Sequence, residues 1–423
     1  MLKKKLVKGI ALLSTVFALG ACGNSGGSAD GPVEIEYWHG NADTQGGSQV
    51  AELVEKFNKS QDEVKVNPIY NDNIYVGIMQ NLQTTAAAGK APAVVQIGWA
   101  YREYFDENFE SVRPKDLVEK FGSDKDYIEN KFIPEMANLA TNSKGEMLGF
   151  PYSASTAVVF VNKDLLKEAE VDPEAIKTYD DLYAAAEQIK EKTGKAGLYI
   201  SESPDSWTSQ QLIESYGDPI VNDKGKAAFA GEQGIKAIDD WAKSIEKGAT
   251  MHATIADGQQ AFISGDVGML ISTIAQRSNV VDNAAFEAMA IELPSQNGHR
   301  AVPAGGAMLA VTAKDEEQQK AAMKFIEFLY EPENVAIWTG GTGYLPATKD
   351  ATENEELKNL IENDQMFGTS YAMMPDLVPF ASFPGNNGLQ AYEKLRDARD
   401  RVFTGVPASE ELPKAEKEIN DML

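Results

Sequence analysis

Strand and helix patterns alternate along this chain from Val33 onward, and this alternation constrains the fold more than any other feature. Residues 33–38 alternate apolar and polar side chains, as a half-buried strand does. Val50, Leu53, Val54 and Phe57 follow at helical spacing, and further strand patterns start near residues 64 and 93. Strand, helix, strand, helix, strand predicts a parallel sheet in an α/β protein.

The same alternation resumes in a second block of the chain. A capping box at 178–181 predicts the start of a helix, an apolar stripe predicts another over 315–329, and the chain looks mostly helical beyond residue 331. Two such blocks are too long for one sheet, so we expect two α/β lobes. The further strand patterns of the second block fall at residues 157–161, 197–200, 267–271, 286–293 and 308–311.

The chain begins with a targeting segment. Lysines at positions 3, 4, 5 and 8 precede a short apolar run and a small-residue site, which predicts a secretory signal peptide over residues 1–21. The segment Leu19-Gly20-Ala21-Cys22 resembles the bacterial lipobox. That resemblance implies that Cys22 becomes the lipidated first residue of the mature protein, with a second acyl chain such as palmitate making the anchor stable. The alternative is an ordinary signal peptide with an incidental cysteine.

The resemblance to the lipobox implies a mature protein outside the cytoplasm, anchored to the outer face of the cell membrane. Residues 22–31 contain no apolar residue larger than alanine after the cysteine, so we expect a lipidated, flexible tether. By analogy we expect a Gram-positive host, since a periplasm would make the lipid unnecessary. After Cys22, no apolar run approaches the length of a membrane span.

Composition excludes several functions. Cys22 is the single cysteine, so a lipidated Cys22 leaves no thiol for disulfides, metal sites or nucleophilic catalysis. The formal net charge is −25, and removing the four lysines of the signal peptide leaves 35 basic against 64 acidic residues, a net charge of −29. Such a charge argues against nucleic acid and against adhesion to anionic lipid.

Catalysis finds little support in the sequence. None of the three histidines, His39, His252 and His299, has metal-ligand spacing, and no Gly-x-Ser-x-Gly motif is present. Chance pairs among 64 acidic residues indicate nothing about glycosidase chemistry. We therefore expect no catalytic residue, no metal and no cofactor. A surface glycosidase and a structural lipoprotein are the alternatives.

Several local patterns together resemble one family. They are Tyr37-Trp38-His39, Ala91-Pro92-Ala93-Val94-Val95-Gln96, 151–156 running into 161–164, 265–269, Gly305-Gly306-Ala307, Pro332-Glu333-Asn334 and Thr342-Gly343-Tyr344-Leu345-Pro346. In this order they are similar to the extracytoplasmic solute-binding proteins (family 1) of carbohydrate-type ABC importers, in particular the glycerol-3-phosphate-binding branch. The resemblance implies a two-lobed periplasmic-binding-protein fold, type II-like, with a ligand cleft between the lobes.

The domain boundaries follow from this two-lobed picture. We expect residues 32–155 and 270–312 to form lobe 1, and residues 156–269 and 313–423 to form lobe 2. The partners implied are a small carbohydrate-like solute and ABC permease subunits with a separate ATPase. We expect a monomer.

Aromatic residues at strand ends are the first candidates for ligand binding. Of five tryptophans, Trp38, Trp99 and Trp207 fall in loops or at strand ends, whereas Trp241 and Trp338 fall in helical stretches that favour core packing. A sugar ring offers apolar faces and a polar rim, so aromatic platforms with hydroxyl donors suit it. The family resemblance adds further ligand contacts at Tyr75, Ser155, Thr273, Gly306 and Tyr344.

Two departures from the glycerol-phosphate branch bear on the ligand class. Trp99 stands where that branch has a ligand-binding glutamate, and its phosphate-binding arginine falls near Gln390 or Ala391. A buried phosphate needs compensating charge, so both departures favour a neutral sugar or oligosaccharide. Glycerol-3-phosphate or a glycerophosphodiester stays open, because Arg396 lies one helical turn away. A choline-like head group facing Trp99 is a third ligand class.

Overall fold

The computed structural model describes residues 31–202 and 206–423. The predicted signal peptide, Cys22 and the tether up to residue 30 lie outside the described residues.

Strands occur in both halves of the described chain, and most of those predicted from the sequence are present. In chain order they are β1 (Val33–His39), β2 (Val64–Tyr70), β3 (Val94–Gly98), β4 (Phe150–Ser155), β5 (Ala157–Asn162), β6 (Ala196–Ile200), β7 (Thr250–Met251), β8 (Val267–Thr273), β9 (Ala288–Ile291), β10 (Val302–Pro303), β11 (Gly305–Val311) and β12 (Leu377–Val378).

Helices connect these strands and make up most of the chain after residue 315. They are α1 (Gly47–Ser60), α2 (Ile74–Ala87), α3 (Arg102–Asn108), α4 (Pro114–Phe121), α5 (Tyr127–Lys131), α6 (Pro134–Leu139), α7 (Lys163–Glu168), α8 (Tyr179–Thr193), α9 (Trp207–Tyr216), α10 (Glu232–Glu246), α11 (Ile255–Ile263), α12 (Arg277–Asn283), α13 (Glu316–Leu329), α14 (Pro332–Thr342), α15 (Glu355–Asn363), α16 (Gln365–Ala372), α17 (Gly388–Phe403) and α18 (Ala408–Met422). Short 3₁₀ turns occupy Asp43–Gln45, Trp99–Tyr101, Pro173–Ala175, Ile274–Gln276, Lys349–Glu353 and Met374–Asp376.

Local sequence signals explain where these elements form. The apolar stripe of α1 is buried, and β3 and β5 are buried along their whole length, as continuous apolar strands should be. The predicted capping box opens α8: the Thr178 hydroxyl accepts a hydrogen bond from the Asp181 amide at 3.1 Å, and the Asp181 carboxylate accepts one from the Thr178 amide at 2.9 Å. The capping-box prediction is therefore confirmed.

The first sheet has the strand order β2-β1-β3-β11-β4. Strands β1, β2 and β3 run parallel, and β11 is antiparallel to β3 and β4. The carboxyl ends of β2, β1, β3 and β4 therefore lie at one edge, together with the amino end of β11. This edge faces the second lobe.

The second sheet has the strand order β7-β6-β8-β5-β9. Strands β6, β7 and β8 run parallel, while β5 is antiparallel to β8 and β9. The chain passes from the first sheet to the second within one residue, Thr156, between β4 and β5. The carboxyl ends of β6 and β8 therefore face the first sheet, across a cleft.

The expected lobe boundaries are wrong in two segments. Strand β8 pairs along its length with β5, and β9 also pairs with β5, so residues 270–291 belong with the second sheet. Helix α13 packs on β1 and α1, where Phe325 contacts the rings of Tyr37 and Phe57, so it belongs with the first sheet. An amphipathic stripe shows that one face is buried but does not specify which sheet covers it.

No helix among the described residues is both long enough and apolar enough to cross a membrane.

Candidate ligand-binding cleft

A cavity of about 190 Å³ lies between the facing edges of the two sheets. Ligand sites of open α/β folds lie at this place, beyond the carboxyl ends of strands. The residues lining the cavity are Gln45, Asn73, Ile74, Tyr75, Val76, Trp99, Ala100, Tyr101, Ser155, Ser201, Trp207, Ile255, Gln259, Ser272, Thr273, Gln276, Gly305, Gly306, Tyr344 and Phe380.

The first lobe supplies most of the aromatic side chains. Trp99 follows β3, and its indole Nε1 donates a hydrogen bond to the Ser153 carbonyl at 3.1 Å. The Tyr75 and Tyr344 hydroxyls are close enough for each to shift the pKa of the other. Tyr344 also stacks on Trp338, with ring centroids 5.6 Å apart. These contacts fix the rings that face the cavity.

Burial makes both tyrosines still harder to ionise. It raises the pKa of Tyr344 to about 12 and the pKa of Tyr75 well above its usual value, with the neighbouring tyrosine hydroxyl raising the latter further. Both side chains therefore present uncharged hydroxyls to the cavity at physiological pH.

Two glycines make room for this wall. A Cβ on Gly98 would lie 2.5 Å from the ring of Tyr75, so glycine at this position lets the ring pack over the end of β3. Gly306 has φ +113, and a Cβ there would lie 2.1 Å from the Ser153 carbonyl oxygen. The family resemblance placed Gly306 among the expected ligand contacts. In the structure, the absence of a side chain at Gly306 makes room for the adjacent strand β4, to which Ser153 belongs.

The second lobe supplies amides, hydroxyls and one indole. Trp207 begins α9, and its Nε1 donates to the Pro303 carbonyl at 2.9 Å. Ser201 donates from its hydroxyl to that of Ser272 at 3.0 Å, and Thr273 Oγ1 accepts from the Ala275 amide at 3.2 Å. With Gln259 and Gln276, this wall offers both donors and acceptors to a solute.

The cleft brings together seven of the predicted ligand-binding residues: Tyr75, Trp99, Ser155, Trp207, Thr273, Gly306 and Tyr344. Trp38 is not among the lining residues. Strand β1 runs one residue further than predicted, so Trp38 lies inside the sheet, opposite Ile69 of β2 and Val95 of β3. It is 7% exposed, and its Nε1 donates to the Glu36 carboxylate at 2.9 Å. Trp241 and Trp338 are core residues, as predicted.

Other lining residues were missed by the sequence reasoning. Asn73 and Ile74 have left-handed backbones, φ 60 and 53, where α2 begins. Tyr101 belongs to the same turn as Trp99, and this proximity is the one signal that could have found it. Gln259 and Phe380 enter the cleft from distant parts of the sequence, so no local pattern marks them.

No charged side chain lines the cavity among the described residues. Arg396, the candidate phosphate ligand, lies on α17 and is not part of the lining. Its Nη2 pairs with the carboxylate of Asp397 at 2.9 Å. Gln390 is exposed and Ala391 is buried, so neither replaces the arginine. The cleft therefore holds no group in the described chain that would neutralise a phosphate.

Within residues 31–202 and 206–423, no group of three or more His, Cys, Asp or Glu side chains is arranged to hold a metal ion. His252 Nδ1 instead lies 2.8 Å from the Glu202 carboxylate. His39 is buried at the end of β1, and this burial lowers its pKa to about 4.

Two α/β lobes with a cleft between their sheets define the class of the two-lobed solute-binding proteins. Residues 52–365 match the family described as bacterial extracellular solute-binding protein, and the chain belongs to that family.

Known proteins similar to this chain agree with that membership. The sn-glycerol-3-phosphate-binding periplasmic protein UgpB of Escherichia coli is 28% identical over 387 residues, covering 86% of this chain and 85% of the relative. The structure of UgpB from Mycobacterium tuberculosis in complex with glycerophosphocholine superposes with a TM-score of 0.80 at 20% identity, covering 93% and 98% of the two chains. The maltose-bound MalE3 of T. maritima has a TM-score of 0.80 at 19% identity, covering 92% of this chain and all of that one. The predicted fold class and family are thereby confirmed.

Proposed function

We propose that this protein captures a neutral sugar or oligosaccharide outside the cell membrane and delivers it to the permease of an ABC importer. The observation that carries the proposal is the chemistry of the cleft, which is lined by aromatic rings, hydroxyls and amides and by no charged side chain of the described residues.

This lining matches a sugar in two ways. The rings of Trp99, Trp207 and Phe380 offer apolar faces to the C–H faces of a sugar ring. The hydroxyls of Ser155 and Thr273 and the amides of Gln259 and Gln276 offer donors and acceptors to the sugar hydroxyls. The net charge, −29 once the predicted signal peptide is removed, adds a long-range repulsion against anionic solutes.

The second candidate is glycerol-3-phosphate or a glycerophosphodiester. It is favoured by the names of the UgpB relatives, which are described as binding glycerol-3-phosphate or as complexed with glycerophosphocholine. A buried phosphate needs paired charge or many donors, because an unpaired charge is costly to desolvate. The neutral lining and the pairing of Arg396 with Asp397 weigh against this candidate.

Delivery would depend on lobe closure. Groups on both lobes line the cavity, so a solute held by both stabilises the closed arrangement over the open one. Separate permease and ATPase chains would recognise the closed form. The protein would act as a binder, without turnover of its solute.

Two measurements on the purified protein test this function. Mass spectrometry of solute carried through purification should identify a neutral saccharide. Tryptophan fluorescence should change on adding that saccharide, with no product formed. Conversion of the saccharide would favour a glycosidase instead, and a copurified phosphate ester would favour the second candidate.

We further propose that Cys22, which lies outside the described residues, anchors the protein to the outer face of a Gram-positive cell membrane. Full-length Cys22→Ser should lose partitioning into the detergent phase, while a chain starting near Val33 should bind the same solute as the full-length protein. Detergent-phase partitioning of Cys22→Ser equal to wild type would contradict the anchor.

A further inference from the structure

The segment of residues 379–382 joins the two lobes beside the cavity. It follows β12, which pairs in parallel with β10, and the Ala304 amide donates to the Val378 carbonyl at 3.1 Å. Within the segment, Phe380 is 4% exposed and its side chain lines the cavity. No sequence pattern singled out this residue.

The second lobe holds the segment through one side chain, Gln210 of α9. Its Nε2 donates to the Pro379 carbonyl at 3.0 Å, and its Oε1 accepts from the Ala381 amide at 2.9 Å. The side-chain amide of Gln210 is thus hydrogen-bonded to the backbone on both sides of Phe380, with one donor and one acceptor, as the backbone of an adjacent strand would be. Gln210 is 1% exposed, so these bonds are not open to exchange with water. Its Nε2 also lies 3.1 Å from the Glu214 carboxylate, which can take the second amide hydrogen.

The first lobe holds the same segment from the other side. The Ser382 hydroxyl donates to the Ala100 carbonyl at 2.7 Å. Tyr392 of α17 links this wall to the segment: its hydroxyl lies 2.6 Å from the Ala100 carbonyl and 2.7 Å from the Ala381 carbonyl. Ala100 belongs to the Trp99–Tyr101 turn of the first cleft wall. The segment is therefore bonded directly to both walls of the cleft.

We propose that Phe380 is a solute-contacting residue and that Gln210 is its positioning residue. The inference rests on the proposed function. It adds a contact between the solute and Phe380, whose segment is held by hydrogen bonds to both lobes. Since the two amide bonds flank Phe380, losing them leaves the Pro379 carbonyl and the Ala381 amide without this partner at a buried place. The segment would then shift, and the ring would leave the position from which it meets a solute.

The chain offers a matched control in Gln211. It is the next residue of α9, is also 1% exposed, and donates from its Nε2 to the Tyr179 hydroxyl at 2.9 Å, away from the segment. Gln210→Leu and Gln211→Leu each remove one buried amide from the same helix. Gln210→Leu should speed hydrogen exchange at the Ala381 amide, and Gln211→Leu should not.

Binding is measured by calorimetry with maltose and, separately, glycerophosphocholine. For the probe that wild type binds, Phe380→Ala and Gln210→Leu should each weaken affinity about tenfold, as expected for a central aromatic contact and its support. Gln211→Leu should stay within about twofold. Phe380→Leu, which keeps an apolar side chain, should lose less affinity than Phe380→Ala.

The outcomes separate this inference from the proposed function. Binding of glycerophosphocholine alone would contradict the sugar proposal while still testing Phe380 and Gln210. If neither probe binds wild type, the solute carried through purification replaces them as titrant for Phe380→Ala, and hydrogen exchange at Ala381 still tests the positioning role of Gln210. Equal affinity losses in Gln210→Leu and Gln211→Leu, unchanged affinity in Phe380→Ala, or unchanged exchange at Ala381 in Gln210→Leu would overturn the inference.

Discussion

Replacing Gly306 by alanine should damage both the fold and the cleft. A Cβ at this position would lie 2.1 Å from the Ser153 carbonyl oxygen, a contact that backbone atoms must move to relieve. The same carbonyl accepts the hydrogen bond from Trp99 Nε1. A shift of Ser153 away from the new methyl group would therefore also displace the indole that lines the cavity.

The magnitude follows from two contributions. An L-residue forced to keep a left-handed backbone loses about 1–2 kcal/mol, and φ at Gly306 is +113. Overpacking against the buried Ser153 adds about 1–3 kcal/mol. We expect Gly306→Ala to lose about 2–5 kcal/mol of unfolding free energy.

Gly340→Ala is the matched control. Gly340 lies in α14, is exposed, and has no atom within 4 Å of an added Cβ, so alanine should stabilise the protein by about 0.5–1 kcal/mol. Urea unfolding followed by tryptophan fluorescence compares the three proteins through their midpoints. A Gly306→Ala midpoint equal to that of wild type would refute the steric reasoning.

Three further predictions concern acid stability, affinity and closure. Because burial lowers the pKa of His39 to about 4, the unfolded chain takes up this proton first as pH falls. Between pH 7 and pH 5, this difference in the pKa of His39 should lower the unfolding free energy of wild type by about 2 kcal/mol. Urea titrations should not find this decrease in His39→Gln. Trp99→Ala should weaken saccharide binding by on the order of 2–4 kcal/mol, whereas Arg396→Ala should change it little; calorimetry measures both. Small-angle scattering should show compaction on saturation with a bound saccharide.

Each of these predictions has an outcome that would contradict it. Equal pH dependence in wild type and His39→Gln would mean that His39 is protonated to the same extent in the folded and unfolded states. A larger loss for Arg396→Ala than for Trp99→Ala would move the ligand assignment toward a phosphate. An unchanged radius at saturation would indicate a binder that does not close.

Sequence patterns predicted the elements whose signals are local. The stripe of α1 and the capping box of α8 depend on residues within a few positions of one another, and both are present. The sheet to which β8 and α13 belong depends on pairing between distant segments, and there the expected boundaries failed. Periodicity shows that a face is buried but not which surface buries it.

The cleft shows the same division. Family resemblance and strand-end position placed Tyr75, Trp99 and Thr273 among residues that do line the cavity. Trp38 was misplaced because β1 continues one residue further, which puts an apparent strand-end residue inside the sheet. The sequence did not predict Phe380, because its position at the cavity depends on hydrogen bonds from the Gln210 side chain to the backbone of Pro379 and Ala381. Gln210 is far from these residues in the sequence.

Calorimetric titration of the purified protein at about 0.01 M and about 1 M salt tests the central claim most directly. The titrants are a panel of neutral saccharides that includes maltose, sn-glycerol-3-phosphate and glycerophosphocholine. A neutral cleft predicts that a saccharide binds with an affinity that salt changes little, because no formal charges are paired. Tight binding of sn-glycerol-3-phosphate that weakens at high salt, and is lost in Arg396→Ala, would contradict the account.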